Sequence, residues 1–193
     1  MMDTVKAGAY ADQAQSSRYT GIPYSKLDCQ GFVEQVLKDC GVTKPDGSVY
    51  NWKGSNSMWR NALKWKGTIE EAKTEFGEIP LGSWAFIVKH DGGERDRGYN
   101  DNEGNASHVG IYCRRNSGEE VRDSTKTNTR DGVGYRSIKG FTHIGLPKMI
   151  IYAHTVSDDE QAAAAVSILR NPASDDTEFL QALKSLYKYM KGV

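Results

Sequence analysis

The alternation of apolar and polar positions divides the 193-residue chain into a helical stretch, a β stretch and a second helical stretch. In the first, Val5, Ala9 and Ala14 share one side of an Ala- and Gln-rich segment, which predicts a helix over 4–18. Phe32, Val33, Val36, Leu37 and Cys40 recur at helical spacing between Asp28, a fitting N-cap, and Gly41, a fitting stop; a helix should therefore begin at Cys29. Met58, Trp59, Ala62, Leu63 and Trp65 predict a further helix within 50–65, its tryptophans in the core, and Ile69 to Phe76 another that ends at Gly77. From Ile79 the character is β. The apolar run from Ser83 to Val88 is of strand length behind Pro80 and Gly82, and a long Gly/Asp/Asn-rich loop follows over 89–107. His108 to Cys113 is a strand, Arg114 to Gly118 a turn and Glu119 to Thr125 the returning strand, with more strand material at 135–138 and 143–152. Beyond His154, an Ala-rich helix capped by 157–160 ends at Asn171-Pro172. A second, from Ser174 to near Gly192, carries an apolar face of Phe179, Leu180, Leu183, Leu186, Tyr187 and Met190.

These patterns predict an α+β domain over 1–153, with N-terminal helices packed on a central antiparallel sheet, and a C-terminal helical appendage over 154–193. The appendage is expected to dock on the body or to pair with a partner, self-association included. Lys and Arg (25) balance Asp and Glu (25), which gives no electrostatic case for nucleic acid or a membrane surface. No apolar run approaches the roughly 20 residues that span a bilayer. The N-terminal residues lack the apolar core of a signal peptide, so the chain either starts in the cytoplasm or has had an export signal removed. Three cysteines make no disulfide framework, and eleven helical steps put Cys29 and Cys40 about 16 Å apart, too far to bridge. No cysteine or histidine shows metal-ligand spacing. The stretch from Asp101 to Asn105 resembles a calcium loop, but the twelfth residue from Asp101 is Tyr112 rather than Glu. Neither metal nor cofactor is expected.

The candidate chemistry starts at Cys29. A thiol in the first turn of a helix lies near the positive end of the macrodipole, which favours the thiolate; its alternative is an inert, buried small hydrophobe. Cysteine hydrolases also need an imidazole, a polar group to orient it and an oxyanion hole. His108, at the start of its strand, is the leading imidazole and His143 its rival. His90 lies in the long loop and His154 at the appendage border.

At this point the sequence resembles the NlpC-type cell-wall cysteine peptidases, papain-like enzymes that cut peptidoglycan stem peptides. Asp28-Cys29-Gln30-Gly31-Phe32-Val33 resembles the family's Asp-Cys-Ser-Gly-Phe-Val motif. His108-Val109-Gly110-Ile111-Tyr112 is similar to its histidine strand, and Pro80 to Phe86 to the stretch that opens its sheet. The resemblance covers roughly residues 5 to 152. It implies a papain-like fold with Cys29 as nucleophile, His108 as general base and the Cys29 N–H in the oxyanion hole. Tyr24, Asp28 and Ser107 fall on the oxyanion and substrate side, and Asp123 falls where the third polar residue sits. Three positions depart from the pattern: Gln30 for Ser, Ser83 for Asp, and Asp123 where His is commoner.

Asp123 should lie either opposite His108, about 5 Å between Cβ atoms, or on a diagonal of roughly 7–8 Å; the alternatives are that His143 orients the imidazole or that Asp123 merely caps the strand end in solvent. The implied substrate is the peptidoglycan stem peptide, at the bond after D-glutamate, cut by a phage-like lysin that stays in the cytoplasm until release and acts at the wall. A muramoyl amidase or acyl transferase on the same site, or an inactive wall-binding or phage structural module, are the alternatives.

Overall fold

Burial in the computed structural model follows the two hydrophobic periods of the chain. The structure describes residues 3–115 and 118–152, together with Val166, Leu169, Thr177 and residues 179–184. Two compact units divide the chain, Met1–Tyr152 and Ala153–Val193. Among the described residues no helix is long and apolar enough to cross a membrane.

The first unit mixes helices with a sheet. In chain order it runs β1 (Val5–Lys6), α1 (Ala7–Ala14), α2 (Cys29–Asp39), α3 (Ser55–Asn61), β2 (Leu63–Thr68), α4 (Ile69–Phe76), β3 (Trp84–Lys89), β4 (Asn105–Arg115), β5 (Gly118–Lys126), β6 (Asp131–Ser137), β7 (His143–Pro147) and β8 (Ile150–Ile151). Six strands form one antiparallel sheet in the order β2-β7-β3-β4-β5-β6, while β1 and β8 pair in parallel as a separate ribbon.

The core gathers Trp84 and Phe86 of β3, Val109 and Ile111 of β4, Tyr10 of α1, the apolar stripe of α2 (Phe32, Val33, Val36, Leu37) and Met58 and Trp59 of α3, all buried. Each such side chain contributes about 1.5–3 kcal/mol by leaving water. Tyr10 ties three elements together: its hydroxyl accepts from Trp84 Nε1 at 3.0 Å and donates to the Val33 carbonyl at 3.5 Å. Local caps decide where the helices start and stop. The Asp28 carboxylate accepts from the Gly31 N–H at 2.7 Å, and Gly41 turns the chain out of α2 at φ +75°. A reciprocal Thr68–Glu71 capping box opens α4, and Gly77, at φ +76°, closes it.

Three expectations change. The helix over 4–18 contracts to α1, because Val5 and Lys6 are drawn into a ladder with Ile150 and Ile151; Ala9 is exposed, and Tyr10 and Ala11 are buried instead. The helix expected within 50–65 stops at Asn61, and Leu63 to Thr68 is a strand on β7. The alternation there is period two: Leu63 and Trp65 are half-buried while Lys64 and Lys66 are exposed. Strand β6 begins at Asp131, four residues before the stretch expected from sequence. The Ala-rich helix expected after 157 lies outside the described residues apart from Val166 and Leu169, both helical. Of the second helix's apolar face, Phe179, Leu180 and Leu183 are exposed, and Leu186, Tyr187 and Met190 lie outside the described residues.

Candidate active site

Three ties bring the start of α2 to the ends of β5 and β6. The Ser124 hydroxyl donates to the Leu27 carbonyl, one residue before the N-cap. Asp131 Oδ1 accepts the Tyr24 N–H at 2.8 Å. Gly132, at φ +108°, lets the backbone of Ile22 and Pro23 press against β6, where a Cβ would lie 2.1 Å from the Ile22 carbonyl oxygen. Cys29 is thus held against the sheet rather than merely pointed at it.

Cys29 is buried in the first turn of α2, near enough to His108 for its sulfur to favour the imidazolium. His108 Nε2 lies 2.6 Å from Asp123 Oδ2, which leaves Nδ1 for the thiol. Burial works against the imidazolium, but the bond to Asp123 and the nearby Cys29 sulfur outweigh it and hold the His108 pKa above its ordinary value. Burial also opposes the Asp123 carboxylate, yet His108, Arg136 and Arg130 together keep its pKa below the usual carboxylate range. Phe141 flanks the imidazole, its ring centroid 6.0 Å away.

The β4–β5 ladder resolves the register. Its pairing of Ile111 with Arg122 sets Asp123 beside Gly110, so Asp123 reaches His108 on the diagonal. A Cβ on Gly110 would come within 2.8 Å of the Asp123 Cβ and 2.5 Å of Val121 Cγ1. The missing side chain at Gly110 is what lets Asp123 approach His108. His143, the rival, is elsewhere. It pairs with Phe86, sits edge-on to Trp59 at 5.4 Å and takes Thr142 Oγ1 at 2.8 Å on Nδ1. Burial lowers its pKa.

Tyr24 is half-buried near Cys29; burial, then Cys29 and Asp28, push its pKa up to about 12. It therefore stays a neutral donor near the sulfur at physiological pH. Asp28 is committed to capping Gly31. Ser107 is exposed, donates to the Ile87 carbonyl at 3.3 Å, and borders a cavity of about 280 Å³ that Gly54, Ser55, Asn56 and Arg97 also line. The other thiols are apart: burial pushes Cys113 up to about 12 and Cys40 up to about 11, Cys40 being half-buried rather than fully buried.

Several site residues carry no sequence signal. Arg130 and Arg136 both meet Asp123 at 2.5 Å, on Oδ1 and Oδ2 respectively. Gln30 clamps the loop before α3: its amide donates to the Trp52 carbonyl and to Glu34, and accepts from the Gly54 N–H at 2.6 Å. At Ser83 the buried hydroxyl finds no hydrogen-bond partner among the described residues. The calcium-like stretch is spent on ion pairs, Asp101 with Arg60 at 2.6 Å and Glu103 with Lys66 at 2.5 Å, which fasten the long loop to α3 and β2. No group of three or more potential metal ligands occurs among the described residues.

Chemically, the arrangement offers a thiol at a helix N-terminus, an imidazole with a buried carboxylate behind it, and a neutral hydroxyl donor beside the sulfur. No protein-family model matches this chain, and neither a curated protein nor a solved structure matches it.

Proposed function

We propose that the chain is a papain-like, NlpC-type cysteine peptidase that hydrolyses peptidoglycan stem peptides, a lysin acting at the bacterial wall. The observation that carries this reading is the 2.6 Å His108–Asp123 pair with the Cys29 sulfur beside the imidazole at the first turn of α2. His108 takes the Cys29 proton, and the thiolate attacks the peptide carbonyl to form a tetrahedral oxyanion. The Cys29 N–H at the start of α2 and the Tyr24 hydroxyl stabilise that oxyanion. Its collapse to a thioester expels the amine, which takes the proton from His108. Water, deprotonated by His108, then hydrolyses the thioester. Asp123 keeps the ring aimed with Nδ1 at sulfur and stabilises the imidazolium. The bond after D-glutamate is the expected cleavage point.

The test is digestion of purified peptidoglycan with product masses read by mass spectrometry, beside Cys29→Ser and iodoacetamide labelling. New amino termini within the stem peptide, lost in Cys29→Ser, are the expected result. Release of intact stem peptides from muramic acid would make the enzyme an amidase instead. Cys29 should label first at neutral pH, since Cys40 and Cys113 have raised pKa values. A Cys29 that resists labelling would point to an inactive binding module.

A further inference from the structure

Asp123 is fully buried, yet it faces three cationic groups, and the way its two oxygens are shared is informative. Oδ2 pairs with His108 Nε2 at 2.6 Å and lies 2.5 Å from Arg136 Nη2, which together with Nε finds no hydrogen-bond partner among the described residues. Among the described residues Oδ1 is held by Arg130, at 2.5 Å. Arg130 is itself built into place. Its own N–H donates to Thr127 Oγ1 at 3.1 Å and its carbonyl accepts the Thr127 N–H at 2.7 Å, closing the β5–β6 turn. Its second guanidinium nitrogen donates to the Tyr135 carbonyl at 3.1 Å. Gly134, the register partner of Asp123, clears its path: a Cβ there would lie 2.6 Å from one guanidinium nitrogen and 2.7 Å from Cδ. Arg136 is held differently, stacked 4.7 Å over the Phe141 ring.

We propose that Arg130 is a positioning residue for the Cys29–His108 pair, holding the Asp123 carboxylate in the rotation that presents Oδ2 to His108. The inference rests on the reading of Cys29 and His108 as a reacting pair. Without Arg130, Oδ1 is a buried charged acceptor with no partner among the described residues. The carboxylate then gains most by turning both oxygens toward the Arg136 fork, since bidentate guanidinium–carboxylate pairing is the stronger geometry. That rotation takes Oδ2 off His108, and the imidazolium loses the bond that offsets its burial. A like-charge effect runs the other way, because removing one cation favours the imidazolium. The direct 2.6 Å bond should outweigh it, since Arg130 acts on His108 only across the carboxylate. The charged or titratable groups around the pair are Cys29 on α2, Tyr24 and Asp28 before it, His108 on β4, Asp123 on β5, Arg130 in the turn and Arg136 on β6. Arg122, next to Asp123, bonds Thr20 and Tyr135 instead.

The experiment is an NMR pH titration of the imidazole signals of the full chain, which has four histidines, with His108 assigned by its loss in His108→Ala. Arg130→Ala should lower the His108 pKa by about one unit and slow Cys29 alkylation near neutral pH about tenfold. Arg130→Lys should restore little of this, because an ammonium supplies a point charge and not the fork. Gly134→Ala keeps every charge but takes the space of Arg130, and should shift the His108 pKa the same way. A rise in the His108 pKa on Arg130→Ala would reduce Arg130 to a repelling charge and overturn the proposal. So would a folded Gly134→Ala with an unchanged titration or, should that variant not fold, an Arg130→Lys chain that titrates like wild type. Peptidoglycan is absent from these measurements, so a wild-type chain that fails to digest it would sink the proposed activity and leave this result standing.

Discussion

Replacing Asp123 by Asn probes the buried charge cluster most directly. The side chain keeps its shape and loses its charge, so His108, Arg130 and Arg136 face a neutral amide. Breaking a buried ion pair costs about 3–5 kcal/mol when the remaining partner stays buried. Here the side chains of Arg130 and Arg136 are 23% and 30% exposed, so water takes up part of the loss and about 2–3 kcal/mol is expected. In a unit ending at Tyr152 that amounts to a Tm lowered by about 5–10 °C. The pH dependence follows from the two perturbed groups. Asp123 has a depressed pKa, so its contribution is present above the unfolded value of about 3.9 and fades as pH falls through the folded one. His108 has a raised pKa, so its contribution is complete below about 6.5 and fades as pH rises through the folded value. Both act together between about pH 4 and 6.5, and the advantage of wild type over Asp123→Asn should peak there. Urea unfolding at about pH 5.5 and about pH 8.5 measures it, provided the m-value is unchanged. A stability gap at the higher pH equal to or larger than that at the lower would refute the argument. In activity, kcat should fall at least about tenfold and the profile contract from its alkaline side, as His108 loses its acceptor.

The other perturbations separate neighbours that a sequence cannot. Gly110→Ala forces a Cβ to within 2.5 Å of Val121 Cγ1 and 2.8 Å of Asp123 Cβ, and should cost about 1–3 kcal/mol in thermal or urea melts while weakening the His108–Asp123 bond. His143→Ala should lower stability by about 1 kcal/mol through the lost edge contact with Trp59, yet leave the pH profile of Cys29 alkylation unchanged. Ending the chain at Tyr152 should leave a unit that still melts cooperatively and keeps an iodoacetamide-reactive Cys29, because the His108–Asp123 pair and Cys29 lie wholly before that residue. A folded truncation with a silent Cys29 would show that residues 153–193 contribute to the site.

Local chemistry determined the parts of this protein that act within one turn of helix or one run of strand. Asp28 before Cys29 and Gly41 after Cys40 delimit α2, because a cap and a left-handed exit involve residues a few positions apart. Alternation separates His108, Gly110 and Tyr112 from Val109, Ile111 and Cys113 for the same reason. Apolar identity alone was a weaker guide where helix and strand compete: Leu63 and Trp65 fit a helical stripe, but the antiparallel ladder with β7 makes them strand. Which charges meet was decided only by tertiary structure. Asp123 reaches His108 because the β4–β5 register sets it beside a glycine, and Arg130 reaches Asp123 because a turn and a second glycine, Gly134, open the way. His143 is turned to Trp59 by its pairing with Phe86. Contacts of this kind depend on how strands slide against one another, and a shift of one residue would send each side chain to the opposite face. A register of that kind is fixed by the packing of the whole sheet, so a single strand's sequence cannot carry it.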